Sequence, residues 1–422
     1  MNLDRRLAFA AVSFLGCSSE PATEATSLPP DVARVIQSQC APCHTSPPRY
    51  GAPMPLTSYA DTQRASLSNP ARPVWQLMGE RVHDDARPMP PSRLNAEDLG
   101  VIDRWVAAGA PGCAGSSCGS VSAAPAPSSP PLPCTPSHQF TAHAAGGAGA
   151  YRVPGSSGNL NKCFAFRSPF NGATQATAFA ARVDNARVLH HLILFGTDTP
   201  QRDGEVFDCD GNMPRDARFL AGWAPGNQGS VMPDDVGVEL PGSTGWFILQ
   251  VHYWSTTPEA ADDTSGIRLC TTDTPRPHVA AVHMLGSLDI AIPPRSQATE
   301  VRGDCVPVAT GPVHVLGATA HMHRLGRSLR TEILRSGGGT DMMLDVPSYS
   351  FDNQVSTPLD LVIMPGDRLR TTCTFQNPTN ATTYFGERTE DEMCFNFVLA
   401  WPAGGLSDAS GGSSRRCIRT AR

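Results

Sequence analysis

The chain has 422 residues, 40% of them hydrophobic, with 33 basic against 39 acidic side chains and a formal net charge of -6. A chain of this length accommodates about two to four domains with cores of their own, and the composition is that of an ordinary globular protein. No basic patch points to nucleic acid, and the single lysine, Lys162, carries no functional message.

Residues 1–17 differ in character from the rest. Arg5 and Arg6 precede the apolar run LAFAAVSFL, followed by Gly16 and Cys17. This reads as an export signal, too short to span a bilayer, with Cys17 as the lipid-bearing first residue of a bacterial lipoprotein. Phe14 and Leu15 are bulky for such a site, so plain secretion with Cys17 discarded is the alternative. Either way the expected location is outside the cytoplasm, periplasmic or anchored to the outer membrane, where disulfides persist.

Residues 28–115 read as a small all-α domain. Val32, Val35, Ile36 and Cys40 recur at helical spacing behind Pro29-Pro30. A later helix has Asn95 as N-cap, Glu97 and Asp98 in its first turn, Leu99, Ile102 and Val106 on one face, and Gly109 with Pro111 as its stop. Between these helices stands CAPCH, Cys40 to His44, the C-x-x-C-H pattern of covalent c-type haem attachment. Cys40 and Cys43 would form the thioethers, and His44 would ligate iron. Met89, in the Pro-stiffened RPMPPSRL, is the expected second axial ligand, with Met54, Met78 and His83 as alternatives. A His/Met pair raises the reduction potential, which suits an electron carrier. The segment resembles a monohaem cytochrome c domain.

Residues 119–134, GSVSAAPAPSSPPLPC, form a Pro/Ser/Ala linker. Beyond it, short alternating strands are separated by Gly, Pro, Asp and Asn turns, and the length is that of two β-sandwiches, 135–277 and 278–422, with DTPRPH as the joint.

Four strands carry side chains that are poor core residues. In RVLHHLILFG the adjacent His190 and His191 cannot both point to one side of a regular strand. In GWFILQVHYW, Phe247, Leu249, Val251 and Tyr253 share a face, and His252 lies on the other with Gln250. In AHMHRLG the period-two spacing aims His321 and His323 at one ion, zinc or copper. In DEMCFNF, Met393 falls on the side of Phe395 and Phe397. Singly each has an ordinary packing explanation; together, five histidines and a methionine point to metal.

HHLILFG, LQVHYW, HMHRLG and DEMC stand in the order and approximate spacing of the copper type II, ascorbate-dependent monooxygenases, which residues 145–420 resemble. The resemblance implies a mainly β fold, two antiparallel, jelly-roll-like β-sandwich domains behind the cytochrome c domain. It implies two copper ions beside one haem c. His190, His191 and His252 would hold the electron-transfer copper, and His321, His323 and Met393 the oxygen-activating one. It further implies the disulfides Cys163–Cys209, Cys305–Cys417 and Cys373–Cys394. Cys113 and Cys118 are close enough to close a small loop, and Cys134 and Cys270 remain as a pair.

Two departures bear on substrate. The peptide-amidating members carry an arginine two residues before the H-x-H for a substrate carboxylate, and an asparagine and a tyrosine after the methionine. Here those positions are Thr319, Phe395 and Phe397. The expected activity is hydroxylation of a C–H bond of a small apolar or aromatic substrate with dioxygen. Electrons would arrive through the haem from a periplasmic donor, or from an ascorbate-like reductant. The alternatives are a non-enzymatic copper and haem electron-transfer protein, and a zinc hydrolase on the H-x-H, for which Glu392 faces the wrong way. His314 is a candidate to support the second site from behind.

Overall fold

The structure is a computed structural model that describes residues 27–50, 52–67, 69–84, 89–90, 93–122, 131–225, 227, 229–255, 258–349, 351, 354–386, 390–407 and 416–419. The export segment and Cys17 lie outside the described residues.

The N-terminal unit is helical. Pro30–Val35, entered from Pro29, continues as one π-helical turn, Ile36–Cys40, into the CAPCH segment. In the helix Ala96–Ala107 the Asn95 side chain accepts from the Asp98 N–H, the cap read from the sequence. The buried face is centred on Val101, Ile102 and Trp105, with Leu99 and Val106 only half-buried at its margins. The stripe is rotated because Trp105 closes onto Leu28, Val32 and Ile36 and its indole N–H donates to the Pro111 carbonyl, 2.9 Å away.

The rest is β-structure, with no helix among its described residues. One sheet runs Val206–Asp208, Gly158–Arg167, Trp246–Ser255, Leu189–Thr197, Arg218–Trp223. It packs Phe164, Leu192, Leu194, Phe247 and Leu249 against Phe179, Ile267 and Leu269 of an opposing sheet, His138–Thr141, Gly266–Thr272, Gln175–Arg182, Val236–Glu239. The opposing sheet does not end there. His278–Ser287 pairs in parallel with Val236–Glu239 and, further along, antiparallel with Cys394–Trp401, which leads to Val313–His321 and Ser356–Ile363. The strand that follows the DTPRPH joint therefore belongs to both sandwiches. A second facing sheet, Ser296–Cys305, Arg368–Asn377, Gly326–Leu334, Thr340–Val346, completes the later core around Met322, Ile333, Phe375 and Val398.

Of five disulfides, Cys113–Cys118 closes a loop of the helical unit, and Cys134–Cys270, Cys163–Cys209, Cys305–Cys417 and Cys373–Cys394 tie the β-structure. Cys40 and Cys43 take part in none. The helical unit meets the first sandwich at Tyr50, whose N–H donates to the Ala186 carbonyl at 2.6 Å and whose ring lies against Trp223.

Candidate metal centres

The pairing of Leu189–Thr197 with Trp246–Ser255 resolves the double histidine. His252 lies opposite His191, but Tyr253 lies opposite Leu189, so His190 is the extra residue of a β-bulge. A bulge breaks the alternation of faces and re-aims a side chain. Both imidazoles therefore turn to the side of His252, and no core position is lost. The Nδ1 atoms of His190, His191 and His252 stand 3.1, 3.1 and 3.3 Å apart. The centre of that triangle is roughly 1.8 Å from each nitrogen, compatible with imidazole–metal bonds of about 2.0 Å. Burial, and then the neighbouring histidines, hold His191 and His252 well below the usual imidazole range, which keeps them neutral and able to ligate. The Nε2 atom of His252 is hydrogen-bonded to the Asn159 side-chain oxygen, which orients the ring and directs Nδ1 inward.

The H-x-H presents its rings differently. His321 ends the strand Val313–His321, and His323 follows with its ring centroid 5.4 Å away and its plane perpendicular. The Nδ1 of His323 donates to the Asp391 carbonyl at 2.9 Å, and Nδ1 of His321 lies 2.8 Å from the Gln354 side-chain oxygen. Each Nε2 is thereby left for a metal. Burial is the main cause, and His323 the second, of a His321 pKa lowered to about 3. His321 pairs with Phe395 across the sheet, at the ends of the two strands beyond which His323 and Met393 follow and precede them. Met393 is half-buried.

Glu392, fully buried, holds this corner together. Its carboxylate accepts from the N–H groups of His323 at 2.8 Å, Leu325 at 2.6 Å and Met393 at 3.3 Å. With its oxygens so engaged it offers no base to a metal-bound water. Burial pushes its pKa up to about 8 against those bonds. His314 is not part of the site: its ring stacks on Trp401, centroids 3.9 Å apart, and His278 stacks on the opposite face of that indole. Phe395 is buried beside Phe385 and does not line the cavity, whereas Phe397 does.

Between the two histidine groups lies a cavity of about 400 Å³, with His191, Phe219 and Trp223 on one wall and Thr319, His321 and Phe397 on the other. Its described lining contains no Asp, Glu, Lys or Arg. Phe219 and Phe397 stack on one another in its lining, centroids 5.1 Å apart, and the Thr319 and Ser356 hydroxyls are 2.8 Å apart. Phe351 bridges the groups, its ring 5.9 Å from His190 and 5.8 Å from His323.

Residues 147–260 match the profile of the copper type II ascorbate-dependent monooxygenase N-terminal domain, and residues 278–414 match that of its C-terminal domain. The chain belongs to this family. Copper type II monooxygenases similar to it include the peptidylglycine alpha-amidating monooxygenase of Rattus norvegicus, 30% identical over 245 residues, covering 56% of this chain and 25% of that protein. The DBH-like monooxygenase protein 2 of Mus musculus is 30% identical over 54% of this chain and 40% of its own. The dopamine beta-hydroxylase of Homo sapiens is 30% identical over 52% and 39%. The chain thus spans about a quarter of the length of the first of these relatives. A putative secreted protein from Parabacteroides distasonis aligns with 62% of this chain and 90% of its own at a TM-score of 0.16 and 7% identity, too distant to bear on the fold.

The CAPCH segment lies outside the matched residues. His44 is half-buried, and its Nδ1 donates to the Met54 carbonyl at 2.8 Å, which leaves Nε2 as the ring nitrogen for a metal. Burial raises the Cys40 thiol to about 12. Arg81 is near enough to His44 to disfavour its charge, and the Arg81 carbonyl accepts from the Met89 N–H at 3.0 Å. Met78 is buried in the helical core and Met54 packs against it, while Met89 is half-buried outside that cluster. His83 is exposed and bonded to Asp103 at 2.7 Å.

Proposed function

We propose that the chain is an exported copper-dependent monooxygenase that hydroxylates a C–H bond of a neutral, apolar or aromatic molecule, with electrons entering through a c-type haem on the helical unit. The observation that carries this reading is the uncharged cavity with His191 in one wall and His321 in the other. Copper held by His190, His191 and His252, and by His321, His323 and Met393, would supply one-electron redox chemistry and the activation of dioxygen.

The chain's own residues set what is bound. Phe219 and Phe397 offer aromatic faces, and the Thr319–Ser356 hydroxyl pair offers neutral hydrogen bonds. A substrate carboxylate entering here would lose its hydration without gaining a cationic partner, a cost of several kcal/mol in place of a gain. Export agrees with Arg5, Arg6 and the apolar run that follows, and with five disulfides, which persist in oxidising compartments. Cys17 would then carry the lipid.

Haem attachment is supported by two cysteines outside the disulfides and by a His44 ring whose Nδ1–H is fixed on a carbonyl. Haem linked to Cys40 and Cys43, with His44 and Met89 as axial ligands, would supply a one-electron carrier.

Metal stripping, reconstitution with excess copper, desalting and counting test the assignment. Two coppers per chain are expected, falling to one in the His321→Ala/Met393→Ala protein. Oxygen uptake should follow with neutral aromatic compounds and not with a peptide bearing a free C-terminal carboxylate. A single copper in the parent protein, or preference for the carboxylate, would overturn the reading.

A further inference from the structure

Asn227 follows the strand Arg218–Trp223 of the first sandwich and is fixed to it by its backbone. Its N–H donates to the Ala224 carbonyl at 3.1 Å, and its carbonyl accepts from the Trp223 indole at 3.2 Å. Its side chain reaches the second sandwich. The Nδ2 group donates to the Gln354 carbonyl at 3.2 Å, and Oδ1 accepts from the Ser356 N–H at 2.9 Å. One amide thus serves the backbone on either side of Val355 as a neighbouring strand would, at the point where the edge strand Ser356–Ile363 begins.

Gln354 passes this restraint on. Its Nε2 donates to the Phe351 carbonyl at 2.8 Å. A carbonyl can only accept, so the Gln354 oxygen must face the other way, where His321 Nδ1 lies at 2.8 Å. The orientation of the Gln354 amide therefore dictates that His321 carries its proton on Nδ1 and presents Nε2.

We propose that Asn227 is a positioning residue for His321, by which the first sandwich organises the second metal centre through Gln354. The inference rests on the reading of His321, His323 and Met393 as copper ligands. A ring held through its outer nitrogen loses little freedom on binding a metal, and loss of such a partner costs 10- to 100-fold in affinity. By reciprocity, a metal on His321 tightens the contact between the sandwiches.

The test is a competitive titration of full-length protein with Cu(I) and a chromophoric chelator, comparing the parent with Asn227→Ala, Gln354→Ala and the double variant. Each single change should weaken the second copper about tenfold and leave the His190/His191/His252 copper unaltered. The double variant should be no weaker than Gln354→Ala alone, because the two residues act in series. Parent-like affinity in Asn227→Ala, or additive losses in the double variant, would overturn the proposal. Should Asn227→Ala lose both coppers, Asn227→Asp decides: it keeps the acceptor for Ser356 and loses the donor for Gln354. Selective weakening of the second copper then supports the proposal, and parent-like affinity ends it. A parent protein that binds one copper defeats the ligand assignment itself, which separates that failure from failure of the Asn227 link.

Discussion

Tyr50 lies against Trp223, ring centroids 6.5 Å apart, and Trp223 sits directly across the sheet from Leu192, the neighbour of His191. Tyr50 is seven residues past Cys43 and close enough for the Cys43 thiol to affect its titration. The contact joins the C-x-x-C-H segment to the strand of the first histidine centre. Domains held only by a linker move relative to one another, and a docked contact replaces that motion with one geometry. If the helical unit carries the proposed haem, Tyr50→Ala should leave haem and copper content unchanged. Haem reoxidation after photoreduction in copper-loaded protein should slow about tenfold or more as linker-controlled encounter takes over. An unchanged rate would place the electron route elsewhere.

If the haem is the electron inlet, Cys40→Ala with Cys43→Ala should abolish turnover driven by a one-electron protein donor and spare turnover driven by ascorbate. Parallel assays with the two reductants check this. Equal loss, or no loss, in both would remove the haem from the electron path.

Asn159 holds His252 by its outer nitrogen. Asn159→Leu removes that acceptor, and the His252 ring can then turn or carry its proton on Nδ1. Affinity at the first centre should fall 10- to 100-fold with the second unaffected, read by the same chelator titration. The selectivity for one centre is what distinguishes an orienting bond from general loosening of the sheet.

Much of this architecture is legible in the chain. The faces of Trp246–Ser255 follow from alternation, and Phe247, Leu249, Val251 and Tyr253 are all fully buried. The Asn95 cap is a local signal and was readable as one. The bulge at His190 is not local: only the register against His252 and Tyr253 creates it, so two adjacent histidines look incompatible until the partner strand is known. Asn159, Asn227 and Gln354 have no spacing signature, since an orienting amide needs proximity in space and not periodicity. The DEMC segment shows Met393 but hides Glu392, whose importance depends on the N–H groups of the distant HMHRL turn. Phe395 and Phe397 share a face by spacing, yet only Phe397 reaches the cavity because Phe395 packs beside Phe385.

Glu392→Ala would strand up to three buried backbone donors, each worth about 1–3 kcal/mol when left unpaired. The metal-free protein should lose about 3 kcal/mol of stability in denaturant unfolding, and the second copper should weaken while the first holds. Glu392→Gln keeps one acceptor oxygen and should fall between. A stable Glu392→Ala protein with both coppers intact would show that the HMHRL turn holds its shape without this carboxylate.

Phe397 stacks on Phe219 in the cavity lining and pairs with Thr319 across the sheet, so under the proposed function it would touch the substrate without being a metal ligand. An aromatic pair contributes about 0.5–1.5 kcal/mol beyond the area it buries, and a bound aromatic molecule would take the place of one ring on the other. Phe397→Ala should therefore raise KM for an aromatic substrate about tenfold, with kcat changed less and copper content unaltered. Thr319→Arg makes the opposite test by placing a cation in a lining that has none. Its predicted signature is loss of neutral substrates together with new binding of carboxylates, whose charge is then paired. Steady-state kinetics of both variants on one neutral and one carboxylate-bearing compound decides whether this uncharged lining sets the choice of substrate.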